Sequence, residues 1–580
     1  MFAKYLKNKG GILNLLHRIK SHVPSKRKKQ FIVLFILMIL LSFTEAVSLA
    51  SIVPFIGIFL NPDIFYSDSR LSFFINFFDI KNSDQLFLFV TLVFLSLVII
   101  SATIKLTFVY ISNKVSSFTE SDLRSTIFKY NINQTFSYHL EQNSNIVMSN
   151  LLQKTSAIQI YIRGFLEIIA ALLIITFVLT ILLLIKPLII LSIASIVISF
   201  FVVIAFVNKK KILRNSKNMS EGQDKIVNIF QDSIGYIGET ILYSLHNIFI
   251  LKFDKYSYQI ANSMASNKNI QQSPRIYLEY VALICLVILI FFLNQSEYEI
   301  SNSLTILAAL GLGAQKILPL INNVHNSLSS MRAQQIVMSD ALNLLDRSKQ
   351  EDDINFNNEK IFLKKSIKLN NVYFSYNEKK NWILKNINLE IKKGSKVGVK
   401  GTTGSGKSTL GNIIIGLLDP TKGELFIDDV LINLKNKKSW QKNISIIPQN
   451  IFLNDVSFAE NIAIGVNPDE INLEKVKESA KKARIDHFIE SKPNKYNEKV
   501  GERGVKLSGG QRQRIGIARA LYREARVILF DEATNQLDNE TEALVMESIN
   551  NLDKEITIIF IAHRLSTLEN CDQIVDLSKI

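Results

Sequence analysis

Cysteine is scarce. The 580 residues include two, Cys285 inside an apolar run and Cys571 near the C-terminus. Two thiols in such different settings make neither a disulfide framework nor a metal-ligand spacing. Charge is sparse as well, at 20 % of residues against 48 % apolar. That average joins two unlike halves: long uncharged runs fill the first, and from about Ser366 the chain reads as a soluble α/β domain. A small-residue cleavage site is also missing. The basic segment Lys4 to Lys29 leads into an apolar stretch from Phe31 to about Leu60, too long for the core of a signal peptide, so we read a retained membrane span. The net charge of +16 raises the question of nucleic acid. The basic residues instead cluster beside the apolar runs, as orientation in a membrane requires, so a membrane and no nucleic acid is expected.

About 20 apolar residues cross roughly 30 Å of hydrocarbon. Six stretches qualify: Phe31–Phe55, Leu86–Tyr110, Leu166–Ile185, Leu188–Val207, Ile276–Leu293 and Leu304–Ile321. The third and fourth are separated by Lys186 and Pro187, which fits a tight hairpin. The sixth holds Gln315 and Lys316 among small residues such as Gly311 and Gly313, which allow close helix packing. Lys and Arg crowd the segments between spans two and three (Lys114, Arg124, Lys129) and between spans four and five (Lys209, Lys210, Lys211), which assigns both, with the N-terminus, to the cytoplasm. Leu123, Ile127 and Tyr130 have helical spacing, so these segments are expected to continue the spans as helices, as is Met331–Leu345. The expected division is a basic segment 1–30, a membrane domain 31–345, a polar linker 346–365 and a second domain 366–580.

The sharpest motif is Gly401-Thr402-Thr403-Gly404-Ser405-Gly406-Lys407-Ser408-Thr409, between the apolar strand Lys396–Val399 and a helix beginning near Thr409. Strand, glycine-rich loop and helix together make a phosphate cradle: backbone N–H groups converge on phosphate oxygens, Lys407 reaches the β- and γ-phosphates, and Ser408 can ligate Mg²⁺. A second apolar strand, Val527–Phe530, ends in Asp531 and Glu532. Asp531 is suited to hold Mg²⁺ and Glu532 to orient or deprotonate the attacking water of an ATP hydrolase. Ser508, Gly509 and Gly510 open a helix and so form another anion-binding N-terminus.

Leu507-Ser508-Gly509-Gly510-Gln511 resembles the signature sequence of ABC ATPases, and the order of the surrounding motifs is similar over the whole second domain. The resemblance implies further roles: Tyr376 stacks on adenine, Gln449 contacts Mg²⁺ and the membrane domain, and His563 contacts the γ-phosphate. It implies that Ser508 to Gln511 close on ATP held by a second copy, so that a homodimer is the working unit, with ATP and Mg²⁺ as cofactors. Asn535-Gln536 departs from the Ser-Ala usual in that family, in a loop that communicates between the two sites.

Six spans followed by this ATPase resemble the exporter class of ABC transporter, a membrane α-helical bundle plus an α/β P-loop domain. Segments Asn133–Gln142 and Ser244–Ile250 resemble its coupling helices. In the membrane half, Glu45 to Pro54, Ser273-Pro274-Arg275 and Lys316-Ile317-Leu318-Pro319 are similar to bacterial flippases of lipid-linked oligosaccharides. That implies a cargo flipped across the bacterial plasma membrane. Lys105, Arg275 and Lys316 lie in or beside spans two, five and six. A basic residue mid-membrane is costly and faces a cavity, snorkels or pairs, here with Glu45 or Glu279. A pyrophosphate-linked lipid would use such charges. The aromatic run Leu71–Phe78 reads as an outer interfacial helix or one packed on the first two spans. A multidrug or bulk-lipid exporter shares the architecture; a peptide exporter with its own protease, an ATP-gated channel and a regulatory ATPase are the remaining readings.

Overall fold

The computed structural model describes residues 11–60, 82–141, 147–148, 151, 154–185, 187–294, 300–351, 361–376, 381–532, 539–550, 552–562 and 568–578. The run Leu71–Phe78, His563 and the Asn535–Asp538 segment lie outside them. The chain divides into two compact units, one of residues 1–133 with 142–352, the other of 134–141 with 353–580.

The first unit is helical: α1 (Ile12–His22), α2 (Ser25–Ala50), α3 (Ile52–Leu60), α4 (Ser83–Ile132), then after the short α5 (Phe136–Glu141) of the other unit, α6 (Ser156–Ile185), α7 (Pro187–Gly235), α8 (Ile237–Leu242), α9 (His246–Asn294), α10 (Ile300–Ala333) and α11 (Gln335–Glu351). Five of the six apolar stretches fall on one long helix each, and the first, Phe31–Phe55, runs from α2 across Ser51 into the short α3. Among the described residues, Ser25–Phe59, Ser83–Ile132 and Ser156–Leu183 are long and apolar enough to cross a membrane. At 1.5 Å per residue the 50 residues of α4 extend about 75 Å, far beyond the hydrocarbon, so the span and its basic extension are one rod. Hydroxyls within these rods bond back to the preceding turn, as Ser42 does to the Met38 carbonyl and Thr119 to that of Val115, both at 2.7 Å. Such back-bonding satisfies these hydroxyls in an apolar setting, whereas those of Ser101 and Tyr161 are buried without a partner. Large apolar side chains such as Ile32, Leu106 and Phe206 stay exposed, as a lipid-facing surface requires.

Leu15 and Ile19 of α1 pack with Leu34 and Met38 of α2, Ile127 of α4, Tyr161 of α6 and Leu342 of α11. Buried polar pairs clamp this bundle. Lys154 reaches Asp224 of α7 and Asp340 of α11, each at 3.2 Å. Asp346 of α11 accepts from Arg18 at 2.6 Å and meets His22 at 2.7 Å. Because α11 runs to Glu351, the expected linker from Asp346 begins as helix.

The second unit holds β1 (Ser366–Phe374), β2 (Leu384–Lys392), β3 (Lys396–Lys400), α12 (Lys407–Ile414), β4 (Lys422–Ile427), β5 (Val430–Leu431), β6 (Ile444–Ile447), α13 (Gly509–Tyr522), β7 (Val527–Asp531), β8 (Thr557–Ile561) and β9 (Gln573–Asp576), with shorter helices between β6 and α13. An antiparallel sheet has the order β2-β1-β4-β5, and a parallel sheet the order β6-β7-β8-β3-β9. Strands β7, β8 and β3 are apolar over Val527–Phe530, Ile558–Ile561 and Val397–Val399, as the middles of strands covered on both faces must be. Asp428, in the β4–β5 turn, accepts backbone N–H bonds from Lys364, Lys365 and Ser366. Burial raises the pKa of this carboxyl, but the three donors outweigh it and hold the group below its ordinary value.

Candidate functional site

Parallel pairing aligns the ends of the motif-bearing strands. Val399 of β3 and Asp531 of β7 both pair with Ile561 of β8, and Ile447 of β6 pairs with Phe530. The phosphate loop, Asp531-Glu532 and Gln449 therefore leave one sheet edge, where open α/β sheets bind ligands.

Within the loop, Gly404 adopts φ +84° with open space where a Cβ would stand. Gly406 adopts φ +89° as N-cap of α12, and a Cβ there would meet Leu384 at 2.8 Å. Only glycine suits that position. The helix starts at Lys407, two residues before the expected Thr409. The Lys407 ammonium is buried and donates to the Gly401 and Thr402 carbonyls, both at 3.0 Å, so it curls over the loop's concavity. Ser405 Oγ is buried there without a protein partner, an unsatisfied group that a phosphate oxygen fits. Ser408 Oγ donates to Asp531 Oδ1 at 3.1 Å, which puts two hard oxygen ligands side by side, the donor set Mg²⁺ takes. Burial first, and then the adjacent Glu532 charge, push Asp531 above its ordinary pKa against the pull of Ser408 and Lys407. A bound cation would relieve that cost.

Glu532 directly follows β7, donates its N–H to the Ile561 carbonyl at 2.9 Å and has φ +49°. Left-handed backbone at a glutamate is strained, and such strain gathers at functional sites. The sequence offers no signal for it. Tyr376 presents a half-exposed ring, its hydroxyl 3.3 Å from Thr409 Oγ1 and its edge on Phe374. Gln449 is exposed just beyond β6. Thr403 lies in the same loop.

Ser508 caps α13, and the cap is reciprocal: Ser508 Oγ accepts from the Gln511 N–H, and Gln511 accepts from that of Ser508. Gly509 and Gly510 form the first turn, so the expected helix N-terminus is present. Among the described residues, no hydrogen bond joins Ser508 to Gln511 with the phosphate loop. One chain thus brings together the loop, Asp531 and Tyr376, and leaves the signature apart from them.

The short helix α5 groups with this second unit, where Phe136 packs on its apolar core. Over the other expected coupling segment, Ser244–Ile250, Ser244 is a left-handed turn residue and His246 begins the long helix α9; the separate short helix α8 lies just before it. The turn breaks the chain where apolar spacing alone runs on.

In the membrane unit Lys105, Arg275 and Lys316 are each paired. Glu45 of α2 is buried and accepts from Lys105 of α4 at 3.0 Å and from Lys316 of α10. Arg275 pairs with Glu279 one turn on, at 2.9 Å, on an exposed surface. Lys105 also lines a cavity of about 740 Å³. Arg275 lines a smaller one of about 250 Å³ with Glu279 and Gln315. Sequence reasoning weighed Glu45 only as a partner; its bridging of three helices was not legible.

Residues 384–535 match the family described as ABC transporter. The ATP-dependent lipid A-core flippase of Haemophilus influenzae (strain 86-028NP) is 33 % identical over 302 residues, 51 % of this chain and 50 % of that protein. ATP-binding cassette sub-family B member 5 of Mus musculus is 44 % identical over 195 residues, 34 % of this chain and 16 % of that protein. The putative multidrug export ATP-binding/permease protein YgaD of Bacillus subtilis (strain 168) is 42 % identical over 209 residues, 36 % of each chain. The chain thus spans half or less of the length of these curated relatives. A solved structure described as a bacterial Atm1-family ABC exporter with ATP bound superposes with a TM-score of 0.75 at 21 % identity, covering 95 % of this chain and 94 % of that one. By this likeness the chain has the fold of an ABC exporter, with an ABC transporter ATPase sequence over residues 384–535.

Proposed function

We propose that this chain hydrolyses ATP to move an amphiphile across a bacterial plasma membrane, as half of a homodimer with its ATPase unit in the cytoplasm. The observation that carries the ATPase is the Ser408–Asp531 contact at 3.1 Å, which joins the phosphate loop to the carboxylate pair. Backbone N–H groups of Gly404 to Ser408 hold the phosphates, Lys407 exchanges its loop carbonyls for phosphate oxygens, and Tyr376 stacks on adenine. Glu532 orients the attacking water and accepts its proton. Ser408, Asp531 and Gln449 would hold Mg²⁺, which would supply positive charge against the phosphates. His563 takes the γ-phosphate contact that its motif implies.

The second copy is needed because the signature stands apart from the loop within one chain; Ser508, Gly509, Gly510 and Gln511 would close on the partner's ATP. A mixed dimer of Ser508→Arg and Lys407→Ala chains retains one composite site with both parts intact. It should recover ATP binding that neither variant shows alone, and full ATPase activity in a demonstrated monomer would refute the pairing.

For the cargo, the leading reading is a polyprenyl-pyrophosphate-linked glycan. Two ammonium groups share one buried carboxylate at Glu45, which leaves one net positive charge for an anionic linker. Arg275, neutralised by Glu279 one turn away, contributes least. A multidrug or bulk-lipid exporter is the second reading, favoured by the YgaD and lipid A-core flippase similarities. The deciding experiment reconstitutes the protein in liposomes with lipid-linked glycans and follows ATP-dependent change of sidedness. Translocation should occur, and should stop in Lys105→Gln/Lys316→Gln/Glu45→Gln, in which the ion cluster is neutralised as a whole. Normal flipping by that variant, folded at wild-type yield, would sink the anionic-linker pathway.

A further inference from the structure

The 740 Å³ cavity of the membrane unit has two chemically distinct ends. One is apolar: Leu41 of α2, Phe108 of α4, Ile174 of α6 and Leu320 of α10 line it. The other is built from amides and hydroxyls. Asn323, Asn326, Ser327, Ser330 and Gln334 all line the cavity from α10. Asn323, Ser327, Ser330 and Gln334 are three or four residues apart and share a ridge, with Asn326 one turn before Ser330 beside it. From α9, Asn267, Lys268 and Gln271 line it as well.

A polar ridge beyond the end of a span is ordinarily a solvated face. Asn323 fits that case, since it is exposed. Asn326 does not: its amide oxygen is buried without a hydrogen-bond partner, which water alone does not explain. Asn267, 5 % exposed, is held by the Asn215 amide, from which its oxygen accepts at 2.8 Å. The charges lean one way too: Lys105, Arg163 and Lys268 outnumber the one lining carboxylate, Glu167. Glu167 is already engaged on both oxygens, by Arg163 at 2.7 Å and Ser327 at 2.8 Å. Lys268 makes no ion pair among the described residues.

Neutral amides offer a donor and an acceptor each, the complement of vicinal hydroxyls, whereas a phosphate needs donors alone. A hydrophobic cation would find neither counter-charge nor a use for the amides. We propose that the α9–α10 end of this cavity is a sugar-recognition zone, which binds the glycosyl headgroup of an anionic lipid through Asn326, Asn323 and Gln271 while the apolar end takes the start of the tail. This rests on the amphiphile-export reading above and deepens it: the headgroup, beyond its charge, is read. The size agrees, since ligand sites run from about 300 to 1,000 Å³.

The test uses full-length protein in lipid nanodiscs, with ATPase stimulation titrated against four probes: polyprenyl pyrophosphate carrying an N-acetylhexosamine, sugar-free polyprenyl pyrophosphate, lipid A carrying core sugars, and tetraphenylphosphonium. Wild type should respond at a roughly tenfold lower concentration of glycosylated than of sugar-free lipid, about one good polar contact's worth of discrimination. Asn323→Ala/Asn326→Ala should abolish that preference, and Gln271→Ala, on a different helix, should reduce it. Agreement of the two guards against misfolding of either. If wild type ignores polyprenyl lipids but prefers core-bearing lipid A, and the variants lose that response, the polyprenyl cargo falls and the sugar zone stands. Retention of sugar preference by both variants, no sugar preference in wild type, or a response to tetraphenylphosphonium alone would overturn the zone.

Discussion

The two units solve the same problem, holding charge in a fixed place, by opposite means. In the ATPase unit the groups proposed to face phosphate are mostly backbone: a nine-residue loop, a helix N-terminus and two strand ends, each placed by its own short segment. In the membrane unit the charged cluster is made of three side chains from three helices, Glu45, Lys105 and Lys316, separated by 60 and 271 residues. Local chemistry should therefore fail locally in the first unit, whereas a single substitution in the second should loosen a bundle.

The largest effect is expected at Glu532. Glu532→Gln should lower kcat by roughly 10²–10⁴ while nucleotide binding persists, because only proton acceptance is lost. Lys407→Ala should weaken nucleotide binding itself. Equilibrium titration beside steady-state turnover separates the two, and a Glu532→Gln protein that turns over normally would end the assignment. Glu45→Gln comes next. It leaves two lysines without their shared acceptor, which should cost about 2–3 kcal/mol, below the usual figure for a broken buried pair because both lysines are partly exposed. Thermal unfolding in detergent reads this; an unchanged midpoint would mean that the three helices do not depend on the bridge.

Asp428→Asn should destabilise the ATPase unit by about 1–2 kcal/mol, since the amide keeps the shape and loses the charge that three N–H donors face. The carboxyl's folded pKa lies below its unfolded one, so its contribution is present above the unfolded value and is lost as pH falls through the folded one. Chemical denaturation across the acidic range should show the wild-type advantage over the variant in full at pH 7 and shrinking as pH falls below the ordinary carboxylate range. Smallest of all, Arg275→Ala removes one exposed helix pair, about 0.3–0.5 kcal/mol. A large loss of transport with intact folding would instead move Arg275 into the cargo path.

The same contrast explains what could be read in advance. Contiguous motifs carry their geometry with them: Gly406 must be glycine because its φ is positive and Leu384 crowds it, and Ser508 with Gln511 spells its own cap. The six apolar stretches foretold the helices because lipid leaves a backbone few choices. Long-range partnerships were out of reach. Nothing near Glu45 announces that one carboxylate will serve two lysines, and nothing near Asn326 announces that its amide will be buried unmet. The helix boundary near Ser244–Ile250 is hidden for a related reason, since a left-handed turn at Ser244 interrupts an apolar pattern that continues on both sides.

The backbone at Glu532 has a consequence for substitution. At φ +49° the residues that rest most easily are glycine, asparagine and aspartate. Each removes the carboxylate, neutralises it or withdraws it by a methylene. Here the replacements that would relax the chain are the ones that would disarm it. A screen selecting only for stability should therefore drift toward Glu532→Gly or Glu532→Asn, and one that also demands turnover should return to glutamate.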